Sequence, residues 1–360
     1  MGIIKQEKKG GVTVYHVKKD ITDAEMAKKK GSFFCTPKYV LKDDADVYTE
    51  EGDLLLRFRR NVLPKNKIKD CYDNVLKFAK QLTATRGTSS GNKGLHAKVQ
   101  KKSDRKMTNI LGYYDKWSIK NKQIFKELGL SKNHPIRKHA VHETRFNRLY
   151  PENWLKVRPL IQEIDGWYKK LVPDKYKKQR KKANQTPYRI KNTAFTTVTT
   201  NLNYQTALHT DKGDDAEGFG NLVVIEDGKY EGAETCFPQY GIGVDLRTGG
   251  VLYMDVHQWH CNAPMRPKSP DAKRLSLVCY LRMDIWKQTK GMSMAQREKF
   301  DRLGETLKKK YRKMKGIKVP RSEKKRKSGE KNKKRTKKRD KKRKGGKRRR
   351  TRKTRKIRFW

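Results

Sequence analysis

Between residues 188 and 282 the hydrophobic pattern changes from a helical period to that of strands. The runs YRIKNTAFTTVTTNLNY, NLVVIED, GIGVDL, GGVLYMDV and RLSLVCYLR follow one another, separated by turns that carry glycine and aspartate. Short β-rich runs bounded in this way read as strands. Several in succession, without helices between them, fit an antiparallel double-sheet barrel such as a jelly roll. The expected fold class is therefore mainly β with flanking helices, an α+β arrangement whose core covers about residues 150–290.

The flanks supply the helices. Ile68, Cys71, Tyr72, Val75, Leu76, Phe78, Ala79 and Leu82 recur at helical spacing and predict one amphipathic helix. A second is predicted over PENWLKVRPLIQEIDGWYKKLVPDKY, where Trp154, Leu155, Val157, Leu160, Ile161, Ile164, Trp167 and Leu171 share a face between Pro151 and Pro173. That face should buttress the sheet. A third helix follows Gly291, with Met294, Phe300, Leu303, Leu307, Tyr311 and Met314 as its apolar positions. Residues 11–60 mix short β-rich pieces with turn residues. From Arg86 to about Lys122 the chain is polar and basic. It lacks the Gly-Lys-Ser/Thr that a phosphate-binding loop needs, and reads as a mobile basic loop near nucleic acid.

Charge narrows the partners. The 360 residues carry 91 Lys and Arg against 38 Asp and Glu, a formal net charge of +53. Residues 318–360 hold 26 of those cations and 3 of the acids, so they contribute +23 and are expected to form a disordered polybasic tail. The remaining +30 lies on residues 1–317, expected to be one domain. A polyanion is the natural partner of such a body, because Lys and Arg neutralise phosphates and release condensed counterions. Five cysteines, Cys35, Cys71, Cys236, Cys261 and Cys279, include no C-x-x-C pair, which argues against a disulfide scaffold or structural zinc and for a reducing compartment. No run approaches the roughly 20 apolar residues of a membrane span, and no signal-peptide pattern opens the chain. A soluble, intracellular, membrane-free monomer is expected.

Four residues carry chemistry. In TALHTDKGD, His209 and Asp211 stand two apart, so on a strand they face the same way. A second histidine, His257 or His260, arrives at the end of GGVLYMDVHQWHCNAPM. Two histidines and one carboxylate on one face of an octahedron leave three positions open, the geometry of non-haem Fe(II) oxygenases. Arg274 and Ser276 then share a face of the final strand, where a guanidinium fork matches the distal carboxylate of 2-oxoglutarate. Asn203 and Tyr204, just upstream of the metal motif, are further candidates for a hydrogen bond to 2-oxoglutarate.

Together, TALHTDKGD, GKYEGAETCFPQYGIGVDLRTGGVLYMD, HCNAP and RLSLVCYLR resemble the catalytic core of the TET and base-J-binding-protein family of Fe(II)/2-oxoglutarate DNA dioxygenases, over roughly residues 160–282. The resemblance implies a double-stranded β-helix of the jelly-roll or cupin-like type. It also implies iron held by His209, Asp211 and a distal histidine, with 2-oxoglutarate on Arg274. The family's ending aligns with His260-Cys261-Asn262-Ala263-Pro264, which selects His260 and leaves His257 as a strand-end residue or a supporting hydrogen-bond donor. Two departures stand out: Gly232-Ala233-Glu234 replaces a Gly-Gly-Glu segment, and Gly249-Gly250 replaces a Gly-Asp turn.

The activity implied is hydroxylation of the methyl group of thymine or 5-methylcytosine in double-stranded DNA, with the base flipped from the stack and the basic body and tail gripping the backbone. Fe(II), 2-oxoglutarate and O2 are the implied cofactors, with ascorbate as activator. The nucleus is the implied location in a eukaryotic cell or for a virus replicating there. An AlkB-like demethylase, whose metal motif LHTDK is similar to, a protein hydroxylase and a non-enzymatic DNA-packaging protein remain as alternatives.

Overall fold

The computed structural model describes residues 2–35, 37–83, 87–91 and 105–317. Strands β1 (Ile3–Lys9) and β2 (Val12–Val17), helix α1 (Asp23–Lys28), and strands β3 (Tyr39–Leu41), β4 (Ala45–Thr49) and β5 (Leu54–Arg59) open the chain. Helix α2 (Lys65–Ala79) and strand β6 (Thr108–Tyr114) follow, then α3 (Ile119–Glu127), α4 (Pro135–Lys138), β7 (His142–Glu143), α5 (Arg145–Leu149), α6 (Pro151–Leu171) and α7 (Pro173–Ala183). The strands β8 (Thr197–Leu202), β9 (Gly220–Asp227), β10 (Tyr230–Gly232), β11 (Thr235–Phe237), β12 (Ile242–Val244), β13 (Val251–Met254), β14 (Cys261–Asn262), β15 (Met265–Pro267) and β16 (Lys273–Tyr280) come next. Helices α8 (Met283–Thr289) and α9 (Met294–Met314) close the described chain.

Ten strands form one sheet in the order β1-β2-β4-β5-β13-β9-β16-β8-β6-β7. At its centre β13, β9, β16 and β8 are mutually antiparallel. Facing them is a smaller sheet, β14-β11-β12-β3, extended past β14 by an antiparallel bridge between His209 and His260. From β8 the chain passes to the bridge segment in the small sheet, back to β9, across to β11 and β12, back to β13, across to β14, and back to β16. That alternation makes a double-stranded β-helix. The two sheets interdigitate through Leu222, Val224, Leu252 and Met254 on one side and Phe237, Ile242 and Val244 on the other.

The outer face of the large sheet is covered by α2 and α6. Ile68, Cys71, Val75, Phe78 and Ala79 of α2 pack with Val157, Leu160, Ile161, Ile164 and Tyr168 of α6 over Leu275, Leu277 and Cys279 of β16. Polar groups fix the register of α6. Tyr168, fully buried, accepts a hydrogen bond from the Phe219 N–H at 2.8 Å and donates one to Gln179 Oε1 at 3.3 Å. The Tyr253 hydroxyl donates to the Ile164 carbonyl at 2.9 Å. Tyr168 also stacks against both Phe195 and Tyr253.

The structure corrects several expectations. The stretch from Arg86 to Lys122 is not all loop, because the apolar residues of TNILGYY form β6, which pairs with β8 inside the large sheet. Part of the proposed basic loop lies outside the described residues, as does the tail 318–360. Leu82 is past the end of α2 and 57% exposed, and Leu155 points to solvent at 48%, since each faces away from the sheet that its neighbours cover. The run beginning YRIKNTAF enters β structure only at Thr197, and the last predicted strand ends before Arg282, which caps α8. Cys35 and Cys261, 226 residues apart in sequence with Cα atoms 6.2 Å from each other, form a disulfide. Spacing along the chain cannot reveal such a pairing, because folding alone brings the two segments together. Cys71, Cys236 and Cys279 are free and buried. Ala233, where the family pattern has glycine, adopts a φ of 62°, a left-handed backbone that a side chain disfavours by roughly 1–2 kcal/mol.

Replacing Tyr168 with Phe should leave the Phe219 N–H buried without its acceptor. The expected loss is about 1–3 kcal/mol of stability, read as a lower midpoint in thermal unfolding. An unchanged midpoint would show that the hydroxyl does not fasten α6 to the sheet.

Candidate metal centre

His209 and His260 lie opposite each other in the small sheet, joined by reciprocal backbone hydrogen bonds of 3.0 Å in each direction. Their rings stand 4.4 Å apart, centroid to centroid. Each ring is oriented through Nδ1, His209 against the Ala207 carbonyl at 2.7 Å and His260 against the Gln258 carbonyl at 2.9 Å. A carbonyl only accepts, so Nδ1 carries a proton in both rings, and Nε2 is the nitrogen left to ligate a metal.

Asp211 completes the set. One carboxylate oxygen lies 3.6 Å from His209 Nε2 and the other 3.7 Å from His260 Nε2. One ligand atom from each of the three residues falls within 4.8 Å of the others. Asp211 reaches this position from irregular backbone rather than from a regular strand, held by its N–H to the Val256 carbonyl at 2.9 Å. His257 does not join the cluster. Its ring sits 3.4 Å from Asp255, whose carboxylate favours the protonated imidazole against the opposing effect of burial.

The three residues open into a cavity of about 170 Å³ between the two sheets. Strand alternation supplies much of its wall: Thr199 and Asn201 from β8, and Arg274, Ser276, Val278 and Tyr280 from β16. Ser276 is paired across the ladder with Asn201, and Val278 with Thr199. Arg274 is 5% exposed. Burial pulls its guanidinium below the ordinary range, and Tyr230 acts in the opposite direction. Its Nε is buried without a hydrogen-bond partner among the described residues. A buried, unpaired guanidinium edge in a cavity wall is costly unless an anion completes it.

The two residues upstream of the metal motif behave differently from each other. Tyr204 lines the cavity, with its hydroxyl donating to the Ser89 carbonyl at 2.6 Å. Asn203 does not line it. Its φ of 45° takes the side chain out of strand alternation, so that Nδ2 donates to the Ala272 carbonyl at 3.0 Å and Oδ1 accepts from the Arg274 N–H at 2.7 Å. Asn203 therefore holds the backbone of Arg274 in place and offers no free donor to the cavity.

Three features escape a reading of the sequence. Tyr230 reaches Arg274 from a different strand, and nothing in GKYEG signals it. Arg282 sits at the cavity rim, where burial opposes its charge but Asp115, 4% exposed, bonds its Nε at 2.6 Å and holds the guanidinium above its ordinary range. Asn262 accepts from the Thr206 hydroxyl at 2.6 Å and donates to the Glu234 carbonyl at 3.3 Å, tying β14 to its neighbours beside His260.

Comparison with known proteins agrees with this geometry. Residues 131–283 match the Tet_JBP model, described as the oxygenase domain of the 2OGFeDO superfamily. The chain is 35% identical over 185 residues to the bifunctional helicase and thymine dioxygenase JBP2 of Trypanosoma cruzi, covering 50% of this chain and 15% of that protein. To the thymine dioxygenase JBP1 of Trypanosoma brucei brucei it is 34% identical over 148 residues, covering 41% of this chain and 17% of that one. The chain thus spans a small part of the length of these relatives. A structure of NgTET1 in complex with 5mC DNA aligns over 75% of this chain and 94% of that one, with a TM-score of 0.44 and 12% identity. Oxygenases of the 2OGFeDO superfamily take Fe(II), 2-oxoglutarate and O2, and a donor set of two imidazoles and one carboxylate, with the buried Nε edge of Arg274 in the same cavity wall, fits that group. Residues 131–283 are thus similar to the oxygenase domain of the Tet_JBP family.

Proposed function

We propose that this chain is an Fe(II)- and 2-oxoglutarate-dependent dioxygenase that hydroxylates the methyl group of a pyrimidine base in DNA, with thymine the first candidate and 5-methylcytosine the second. The observation that carries the reading is the convergence of His209, Asp211 and His260 beside the buried Arg274, whose Nε has no hydrogen-bond partner among the described residues. The order of the two bases follows the matched relatives, which are thymine dioxygenases.

His209, Asp211 and His260 would hold the iron at the cavity. Arg274 would receive the distal carboxylate of 2-oxoglutarate, and the neighbouring Ser276 hydroxyl would add a hydrogen bond. When bound, iron with O2 and 2-oxoglutarate supplies the oxidation: one oxygen atom enters a methyl C–H bond, and 2-oxoglutarate leaves as succinate and CO2. The protein's share is placement. Val278, Leu222 and Met254 line the cavity with apolar surface, which excludes water from the methyl group, while Arg274 and the metal ligands fix the co-substrate relative to it.

A base inside a duplex cannot reach a cavity between two sheets, so the reading requires it to be flipped out, with the phosphates on either side gripped by cations. The +30 carried by residues 1–317 and the +23 of the tail suit that task. A nuclear location follows in a cell with a nucleus. A protein hydroxylase would share the metal and the arginine but has no use for this charge.

The direct test is mass spectrometry of nucleosides after the chain is incubated with Fe(II), 2-oxoglutarate, ascorbate and two duplexes, one of which adds 5-methylcytosine. Gain of one oxygen on thymidine, absent with His209→Ala, is the expected result. Turnover of 2-oxoglutarate with no oxidised base in either duplex would move the substrate to another class. Arg274→Gln should raise the 2-oxoglutarate concentration needed for half-maximal rate by at least tenfold, since losing a charge-assisted pair costs about 1.5–3 kcal/mol. An unchanged requirement would remove Arg274 from the co-substrate site.

A further inference from the structure

A second concavity, of about 640 Å³, opens on the helical side of the molecule between α6, the segment joining α7 to β8, and the turn into α9. Its cations are Arg158 on α6 and Arg189 and Lys191 on the joining segment. Arg158 and Arg189 are half-buried and Lys191 is exposed. None of the three has a carboxylate at ion-pair distance among the described residues. Arg297 and Glu143, also in the wall, satisfy each other at 3.2 Å, and Arg297 further covers the rings of Tyr113 and Tyr188.

Arg189 sits in a locally positive field. Burial, and then the neighbouring Arg180, lower its guanidinium below the ordinary range. Asp165, the acid acting on it, is 5% exposed and already accepts from the Ala194 N–H and the Tyr176 hydroxyl. Its Nη1 donates to the neutral Asn184 Oδ1. The groove therefore concentrates cations that the protein itself does not neutralise.

Its position relative to the metal centre is fixed through α8. At the groove rim, Gln185 accepts from the Gly291 N–H through its carbonyl at 2.8 Å and from the Trp286 indole N–H through Oε1 at 2.9 Å. At the other end of the helix, the Met283 N–H donates to the Gly213 carbonyl at 3.0 Å, two residues from Asp211. Seven residues of helix span about 10 Å at 1.5 Å per residue.

We propose that this groove holds the phosphodiester backbone of DNA beside the nucleotide presented to the metal cavity, an inference that rests on the DNA reading above. Arg158, Arg189 and Lys191 supply the phosphate contacts, and α8 links the groove rim at Gln185 to the segment that carries Asp211. The groove is a positioning surface and takes no part in the oxidation.

The test is the salt dependence of duplex binding by the full chain, measured by fluorescence anisotropy. Each lost phosphate contact should reduce the slope of log K against log salt by about 0.9. Lys191→Gln should therefore lower it by about 0.9, and Arg158→Gln with Lys191→Gln by about 1.8. Lys8→Gln, on the distant edge strand β1, should leave it unchanged. Lys191 is exposed, so its variant decides the matter even if Arg158→Gln unfolds, which a thermal midpoint would reveal. Unchanged slopes in the groove variants, or an equal fall in Lys8→Gln, with the wild type still oxidising DNA, would overturn the groove and leave the function standing. A wild type that neither binds nor oxidises DNA would overturn both.

Discussion

The reciprocal pair of backbone hydrogen bonds between His209 and His260 is the constraint on which the site depends. Neither residue belongs to a long strand, and the ladder at this corner of the small sheet consists of a bridge and the two-residue β14. Those bonds place two imidazoles from segments about fifty residues apart on one side of the sheet. The carbonyls of Ala207 and Gln258 then turn each ring so that its Nε2 faces Asp211. A shift of one residue on either strand would send one ring to the opposite face. The neighbouring hydrogen bonds of Asn262, with Thr206 and Glu234, hold the register where the ladder itself is short.

The large sheet solves a different problem, the burial of a charge. Arg274 alternates with Leu275 and Leu277, so the strand that fills the helix-covered core also presents a guanidinium to the cavity. Asn203 supports it through its backbone, accepting from the Arg274 N–H at 2.7 Å. In the proposed reading, the dicarboxylate co-substrate would meet the Nε edge, which has no hydrogen-bond partner among the described residues. A carboxylate bonded to Nε would have stabilised the empty protein and closed that edge to an anion.

Much of this was legible in the sequence because strands β9, β13 and β16 are apolar runs with glycine or aspartate at their ends, and alternation along β16 puts Arg274 and Ser276 on one face. His209, Asp211 and His260 were legible as a set because the chemistry needs those three residue types and the chain holds few histidines. What was hidden depends on contacts distant in sequence. TNILGYY, embedded in a basic stretch, gives no sign that it will pair with β8, and Tyr230 gives none that it will meet Arg274. Asn203 misleads because a left-handed φ breaks the alternation that would otherwise aim it into the cavity. The disulfide between Cys35 and Cys261 and the ion pair between Asp115 and Arg282 join segments that only the completed fold brings together.

The central claim is that these three side chains and Arg274 form one iron and 2-oxoglutarate site. Anomalous diffraction at the iron edge, from crystals grown without oxygen in the presence of Fe(II) and 2-oxoglutarate, tests it directly. A single iron peak bounded by His209 Nε2, the Asp211 carboxylate and His260 Nε2, with a carboxylate of 2-oxoglutarate against Arg274, is the predicted result. An iron peak at His257 and Asp255, or 2-oxoglutarate bound away from Arg274, would contradict it.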